Sequence, residues 1–450
     1  MARRDSRGDD FADLDDLISA SATAPSATAA EVAASRRRRR RNGWIAAAVT
    51  AAVVLGVPGG YAAWALNAPL KPATGEVSIP SAPAPAAAVD IGFTADGAAA
   101  LSVAGAEPYL GSEAAGVWMI QGGDDPRPIA SITKVVTALV VLDAYPIADG
   151  DRGPTLVFDR DDHALYDAYF VRDATIAPMP IGSSLSLRDA LATMLIPSAS
   201  NYAEAIAVWA FGSVSGFRAA ADRWLVANGL ERTSIVEPSG LDPRNTSTPS
   251  DLIALGRIAA AEPTVAAIAA TPSLSLPGPG PMANTNRLLG QSGITGLKTG
   301  TLEESGSNLL YTASVDVGLP EPLSVVGVAL GGSSQRGVAA SVLGVLERLA
   351  DGFHVTAVAQ HGQEIGAYTT AWGSSARVVL EKGASLRTWS DTPIVVDGDV
   401  RMPRDWVDGE VLGQITWTAG PESVTVPVVL DGDIEPPSEW WRLTHPGEIG

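Results

Sequence analysis

The sequence predicts a mixed α/β (α+β) domain followed by a β-rich domain, both carried behind one N-terminal transmembrane helix. Three observations predict this. Residues from about 91 to 352 alternate helical and strand periodicities. From about 354 the pattern changes to short alternating runs split by Gly and Asp, as at 378–380, 411–412, 415–417 and 424–430. Residues 44–66 contain no charged side chain. The chain divides on this reading into a tail (1–43), an anchor (44–66), a linker (67–90), a catalytic domain (91–352) and a β-rich domain (353–450).

The uncharged segment is 23 residues long. As a helix it spans about 34 Å, against about 30 Å of bilayer hydrocarbon. Trp44, Tyr61 and Trp64 lie near its ends, where interfacial aromatics sit. Six consecutive arginines at 36–41 precede it, which places the N-terminus in the cytoplasm and everything after residue 66 outside. The alternative is a secreted protein with a cleaved signal. Its apolar core would be 45–57 and its small-residue cleavage site Ala63-Trp64-Ala65. The long leading segment and the apolar residues beyond Pro58 favour an anchor. The polar, charged tail before it reads as disordered. The Ala/Pro-rich residues 67–89 read as a semi-extended spacer.

The composition excludes several classes. With 46% hydrophobic residues the chain of 450 has ample material for a core, so it is not wholly disordered. The net charge is −19, and residues 1–42 alone carry +2, so the remainder is strongly acidic. A nucleic-acid partner is not expected of such a surface. Cysteine is absent, which excludes disulfides, thiol catalysis and Cys-ligated zinc. His163 is alone in the 91–352 segment and reads as an exposed loop residue, which leaves neither a Ser-His-Asp triad nor a zinc site. Asp159-Arg160-Asp161-Asp162 reads as solvated surface. Gly122-Gly123, Gly278 and Gly331-Gly332 lack the spacing of a phosphate loop. No metal or cofactor is implied.

Lysine usage carries the chemistry. Of 31 basic residues only four are lysine: Lys71, Lys134, Lys298 and Lys382. Arginine does not deprotonate usefully, whereas a desolvated lysine can approach a pKa of roughly 7. Lys134 lies in Ser131-Ile132-Thr133-Lys134, at the head of an almost wholly apolar helix running to about residue 142. The i and i+3 spacing puts Ser131 and Lys134 on one face. A serine nucleophile beside an amine base is a recognised activation scheme. Ser-x-x-Lys alone is common, but an amine inside a buried helix is costly without a task. Lys298-Thr299-Gly300 follows an alternating run and precedes another strand, which makes an edge-strand platform able to bind a substrate carboxylate.

These two motifs, with a serine-containing element between them, resemble those of the penicillin-binding proteins and serine β-lactamases. Within that superfamily the chain resembles the low-molecular-mass D-alanyl-D-alanine carboxypeptidases of the S11 serine peptidase family, in an actinobacterial style. Supporting stretches are Pro128-Ile129-Ala130, Met194-Leu195-Ile196-Pro197-Ser198, Ser239-Gly240-Leu241-Asp242, Ser247-Thr248 with Asp251, and Asn284-Thr285-Asn286-Arg287-Leu288-Leu289. The likeness covers roughly 100–350. The resemblance implies a penicillin-binding-protein/β-lactamase-like catalytic domain, with an antiparallel sheet and helices, acting on peptidoglycan stem peptides ending in D-Ala-D-Ala and acylated by β-lactams. It implies Ser131 as nucleophile, Lys134 as its base and Ser198 as proton relay to the leaving amine. Backbone N–H groups of Ser131 and Thr301 would form the oxyanion hole, and Lys298, Thr299 and Gly300 would take the terminal carboxylate.

The middle motif departs from the family pattern Ser-x-Asn. Here Pro197-Ser198-Ala199-Ser200-Asn201 puts Ser200 in the asparagine's place, with Asn201 one position later. Three arrangements are open: Ser200 binds substrate with a bridging water, Asn201 supplies the amide after a local shift, or turnover is impaired. A one-residue shift turns a helical side chain by about 100 degrees, which counts against the second. A carboxypeptidase is favoured over a transpeptidase or a β-lactamase, because the latter needs a specific deacylation base and residues 233–250 show no glutamate-centred element of that kind. The competing class is a non-catalytic, membrane-tethered wall-binding protein of the same fold.

Overall fold

The computed structural model describes residues 28–450, so the expectation for residues 1–27 lies outside the described residues. The chain divides into two compact units, one of residues 77–366 with 377–431, the other of 28–76, 367–376 and 432–450 among the described residues.

The larger unit is built on a five-stranded antiparallel sheet. Its strand order is Ile294–Leu302, Gly306–Val315, Leu323–Gly332, Ala98–Ala104 and Met119–Gln121. Successive side chains point to opposite faces of a strand, and here both faces are covered. Leu297, Leu310, Val326 and Val328 join one core with the helices Thr133–Ala144, Leu187–Leu195, Ser200–Phe211, Val214–Ala227 and Pro249–Ala261. Leu309, Tyr311, Val325 and Ala329 face the other way, against Val338, Val342, Val345 and Leu349 of the helix Gln335–Asp351. Because both faces are covered, Gly306–Val315 is buried almost throughout rather than on alternate residues.

The helix Thr133–Ala144 is the centre of the larger core. Every residue from Thr133 to Leu142 is buried, as its largely apolar character requires. Ser131 sits just ahead of it, in a 3₁₀ turn over Ala130–Ile132. The strand Ile294–Leu302 pairs on one side only, with Gly306–Val315. Its other edge faces that 3₁₀ turn: a side chain on Gly300 would lie 2.9 Å from the Ile129 carbonyl and 3.2 Å from the Ser131 nitrogen. The Lys-Thr-Gly segment is therefore an edge, and glycine permits the close approach.

The same unit holds the β-rich region. Val395–Val400, Val411–Ala419 and Glu422–Asp431 pair in succession as an antiparallel sheet, and residues 377–380 pair with 428–431. Trp417 is fully buried in it. Phe353–Ala359 and Ala384–Trp389 form a two-stranded ribbon.

In the smaller unit, the helix Ala29–Asn67 is long and apolar enough to cross a membrane. It begins at residue 29, not 44, so the part of the expected disordered tail from 29 to 43 is helical. Alanine and arginine are strong helix formers. The Glu31 carboxylate accepts from both the backbone N–H and the hydroxyl of Thr28, which closes the first turn. Tyr61 donates to the Leu443 carbonyl, and Arg442 donates to the carbonyls of Ala65, Leu66 and Ala68. The helix Glu439–Thr444 thereby closes over the last turn of the long helix.

Leu310 is fully buried and lies in the larger core, so Leu310→Ala is expected to destabilise that unit by about 2–5 kcal/mol. Urea unfolding checks this, and a change below about 1 kcal/mol would show that the sheet face is not packed as described.

Candidate active site

The site is assembled by one buried amine. Lys134 is fully buried, and its Nζ donates to Ser131 Oγ at 3.0 Å, to Ser200 Oγ at 3.2 Å and to the Ser239 carbonyl at 2.6 Å. An ammonium has three donors, and all three are satisfied. Burial nonetheless disfavours the charge and lowers the Lys134 pKa to about 7, with the nearby Glu237 carboxylate opposing the shift. In the neutral form two N–H groups suffice for Ser200 and Ser239. The lone pair is then left for the Ser131 hydroxyl, which is the arrangement a general base needs.

The second amine is on the edge strand. Lys298 is buried and donates to Thr285 Oγ1 at 3.3 Å and to the Thr299 carbonyl at 3.1 Å. Burial pushes its pKa well down, and the proximity of Lys134 pushes it further. A neighbouring positive charge disfavours the ammonium form of Lys298, which adds to the effect of burial.

An open cavity of about 500 Å³ lies in front of these amines. It is lined by Ser131, Ser198, Thr285, Thr299, Gly300 and Thr301 among others, with Arg287 and Arg336 at its wall. Ser131, Ser198, Thr299, Gly300 and Thr301 thus meet in one place, although they span 170 positions of sequence. Lys134, Ser200 and Lys298 stand behind that surface rather than on it. Backbone strain marks both serine elements. Ala130, immediately before Ser131, has φ +49°, and Ser198 has φ +71°. Left-handed backbone costs a side-chain-bearing residue roughly 1–2 kcal/mol, and such residues concentrate where the fold must aim a group.

Asn201 stands elsewhere, which corrects the expectation that it contacts substrate. It is fully buried, its Oδ1 accepts from the Ala177 N–H at 3.1 Å, and its Nδ2 donates to the Ala177 carbonyl at 2.9 Å. Both ends of the amide are used to staple the loop before it. The one-position offset on the helix Ser200–Phe211 is the reason: Ser200 faces Lys134, and its neighbour is turned away. His163 is likewise not on an exposed loop. It is half-buried on the helix Arg160–Phe170, with Nδ1 2.7 Å from the Met179 carbonyl. Asp159 caps that helix, accepting from the N–H groups of Asp161 and Asp162.

Glu237, within residues 233–250, has a role that the sequence does not show, and it is not that of a deacylation base. Glu237 accepts five hydrogen bonds inside its own loop, from Ser239 (two), Gly240, Asp242 and Asn245. Gln335 also escaped the sequence reading. Its Nε2 donates to the Gly300 carbonyl at 3.0 Å and to Thr301 Oγ1 at 2.8 Å, which fixes the end of the Lys-Thr-Gly strand. Neither residue announces itself by spacing, because each acts on backbone that only the fold brings near.

A helical and antiparallel-sheet domain with a Ser-x-x-Lys turn facing a Lys-Thr-Gly edge strand defines the penicillin-binding class of serine peptidase. Residues 112–328 match the Peptidase S11 family, described as D-alanyl-D-alanine carboxypeptidase, which supports a serine DD-peptidase of that kind. It is 30% identical over 204 residues to a D-alanyl-D-alanine endopeptidase of Pseudomonas aeruginosa, covering 42% of this chain and 60% of that one. The like-named protein of Escherichia coli is 27% identical over 201 residues, with the same coverage. This chain therefore spans about 60% of the length of the curated relatives it matches. The fold is similar to that of penicillin binding protein 5 from Haemophilus influenzae, with a TM-score of 0.50 and 18% identity, over 77% of this chain and 98% of that one.

Two outcomes test this geometry. With only four lysines in the chain, selective ¹³C labelling resolves each ε-carbon. Lys134 is expected to titrate near pH 7, and a midpoint at the ordinary lysine value would show the amine to be solvated. Asn201→Ala leaves both Ala177 backbone groups without partners and is expected to cost about 1–3 kcal/mol in thermal unfolding.

Proposed function

We propose that this protein is a serine-type DD-peptidase held outside the membrane by its N-terminal helix, removing the terminal D-alanine of peptidoglycan stem peptides through an acyl-enzyme on Ser131. The observation that carries the reading is the Lys134 Nζ contact with Ser131 Oγ, in a cavity that also holds Ser198 and Thr299. Lys134, near neutrality at physiological pH, takes the hydroxyl proton as Ser131 Oγ attacks the D-Ala-D-Ala carbonyl. The backbone N–H groups of Ser131 and Thr301 receive the oxyanion. Ser198 passes a proton to the departing amine, D-alanine leaves, and water resolves the ester. Ser200 supports this sequence by holding Lys134 rather than by reaching the substrate.

Thr299, Gly300 and Lys298 take the substrate's terminal carboxylate. An anion arriving at Lys298 supplies the counter-charge that burial withholds, so substrate binding and protonation of Lys298 are coupled. The same acylation chemistry accounts for β-lactams as covalent ligands. No metal or cofactor takes part in these steps. The positive-inside pattern of the arginines at 36–41 supports an N-terminus in the cytoplasm and a catalytic unit outside.

A second reading has its own observation. Both curated relatives are named endopeptidases, which cleave within a chain rather than at its end. The cavity is open at its front and compatible with a longer, cross-linked peptide. Purified protein is to be given a labelled β-lactam, a peptide ending in D-Ala-D-Ala, and a cross-linked muropeptide dimer. Released D-alanine supports the carboxypeptidase, and cleavage of the dimer alone replaces it with the endopeptidase. An adduct without either product supports the non-catalytic wall-binding reading. Ser131→Ala is expected to abolish the adduct. Lys134→Arg is expected to slow acylation by at least about 10³-fold while the fold is kept, since guanidinium cannot act as base. Near-normal acylation in that variant would remove Lys134 from the role. In the wild type the acylation rate is expected to rise through pH 7 as Lys134 loses its proton, and to fall on the acid side.

A further inference from the structure

The loop carrying Glu237 is packed against the nucleophile helix at three points. The Ser239 carbonyl accepts from Lys134 Nζ at 2.6 Å, and the Pro238 carbonyl accepts from Thr137 Oγ1 at 2.8 Å. Asn245 Nδ2 donates to Thr133 Oγ1 at 3.3 Å. The loop also abuts the turn that bears the nucleophile. Gly240 has φ +83°, and a Cβ there would lie 2.0 Å from the Ala130 carbonyl and 3.0 Å from the Ser131 nitrogen.

This loop has no regular hydrogen-bonding ladder of its own, and Glu237 replaces one. Its Oε2 accepts from the Ser239 N–H at 2.7 Å and the Ser239 hydroxyl at 2.6 Å. Its Oε1 accepts from the Gly240 N–H at 2.6 Å, Asn245 Nδ2 at 2.8 Å and the Asp242 N–H at 3.3 Å. Hydrogen bonds to a carboxylate are charge-assisted and stronger than neutral ones, so Glu237 ties the loop together. Both oxygens face into the loop and are fully engaged, so Glu237 is not placed to activate a water on the acyl-enzyme.

We propose that Glu237 is a positioning residue of the active site: its carboxylate folds loop 237–242 so that the Ser239 carbonyl holds the Lys134 amine against the Ser131 hydroxyl. Its charge has a second effect, because it is the anion facing an amine that burial would otherwise discharge further. Glu237 from the loop is the charged group acting on that amine, Lys298 from the edge strand feels the amine's charge, and the Tyr169–Glu204 pair from two helices neighbours Glu237. Tyr169 donates to Glu204 at 2.5 Å, and its own pKa is pushed up by burial first and then by Glu204 and Glu237, so it stays neutral. Arg172 lies over the Tyr169 ring. Glu237 is thus the group whose neutralisation moves the Lys134 equilibrium toward the free amine.

The inference rests on the serine-peptidase reading and deepens it. The test is the rate of β-lactam acylation of the full chain in detergent, measured against pH and normalised to the fraction that can be acylated. Glu237→Gln keeps the side-chain size, removes the charge and leaves one acceptor where there were two. It is expected to slow acylation at neutral pH by about tenfold or more and to move the acid limb to lower pH. Glu237→Asp keeps the charge but withdraws it from the loop donors, so a smaller loss with the wild-type acid limb is expected. It serves as the deciding variant should the glutamine form fail to fold. Either variant acylating at the wild-type rate overturns the proposal. A slowed Glu237→Gln with an unmoved acid limb also overturns it, since that is the mark of a general structural role. If the wild type itself forms no adduct at Ser131, the peptidase reading falls first and takes this inference with it.

Discussion

A single amine buried in the wrong dielectric organises the catalytic unit. Lys134 sits within a helix that is apolar on every side, and its presence there is stable only because three oxygens converge on it. Each oxygen comes from a different part of the chain: the 3₁₀ turn before the helix, the start of the helix Ser200–Phe211 and the loop after residue 237. Satisfying one costly group therefore draws three distant segments to one point. The same requirement that stabilises the core builds the site.

The electrostatics follow from that placement. Burial lowers the Lys134 pKa toward neutrality, and Glu237 keeps it from falling further. Lys298, also buried, has no such carboxylate among the described residues and is shifted strongly down. The two lysines stand behind one cavity in different surroundings. One is held against the Ser131 hydroxyl, and the other against the Thr285 hydroxyl and the Thr299 carbonyl. An arginine at either place would remain charged.

Geometry around the cavity is held by backbone as much as by side chains. Positive φ at Ala130 and Ser198 aims the two serine elements. Glycine at 240 and 300 lets the loop and the edge strand close on the turn that carries Ser131. Gln335 ties down the end of that strand from the following helix. These contacts leave little slack around the 3.0 Å contact between Lys134 Nζ and Ser131 Oγ.

How much of this was legible in the linear chain depends on the range of the physics involved. Local patterns suffice for the apolar helix behind Ser131 and Lys134, for the edge character of the strand bearing Lys298, for the uncharged 44–66 segment and for the β-rich region near the C-terminus. The scarcity of lysine, together with the two motifs, singled out both amines. Side-chain direction was a different matter. Asn201 and Ser200 are neighbours of equal promise in sequence, and only the phase of their helix turns one to Lys134 and the other to Ala177. Glu237 reads in sequence as one acid among many, because its partners are backbone N–H groups whose convergence exists only once the loop is folded. Periodicity and composition report what a residue is and how it repeats, whereas a pKa, a hydrogen bond and a cavity depend on atoms far apart in the chain, and those the tertiary structure alone decided.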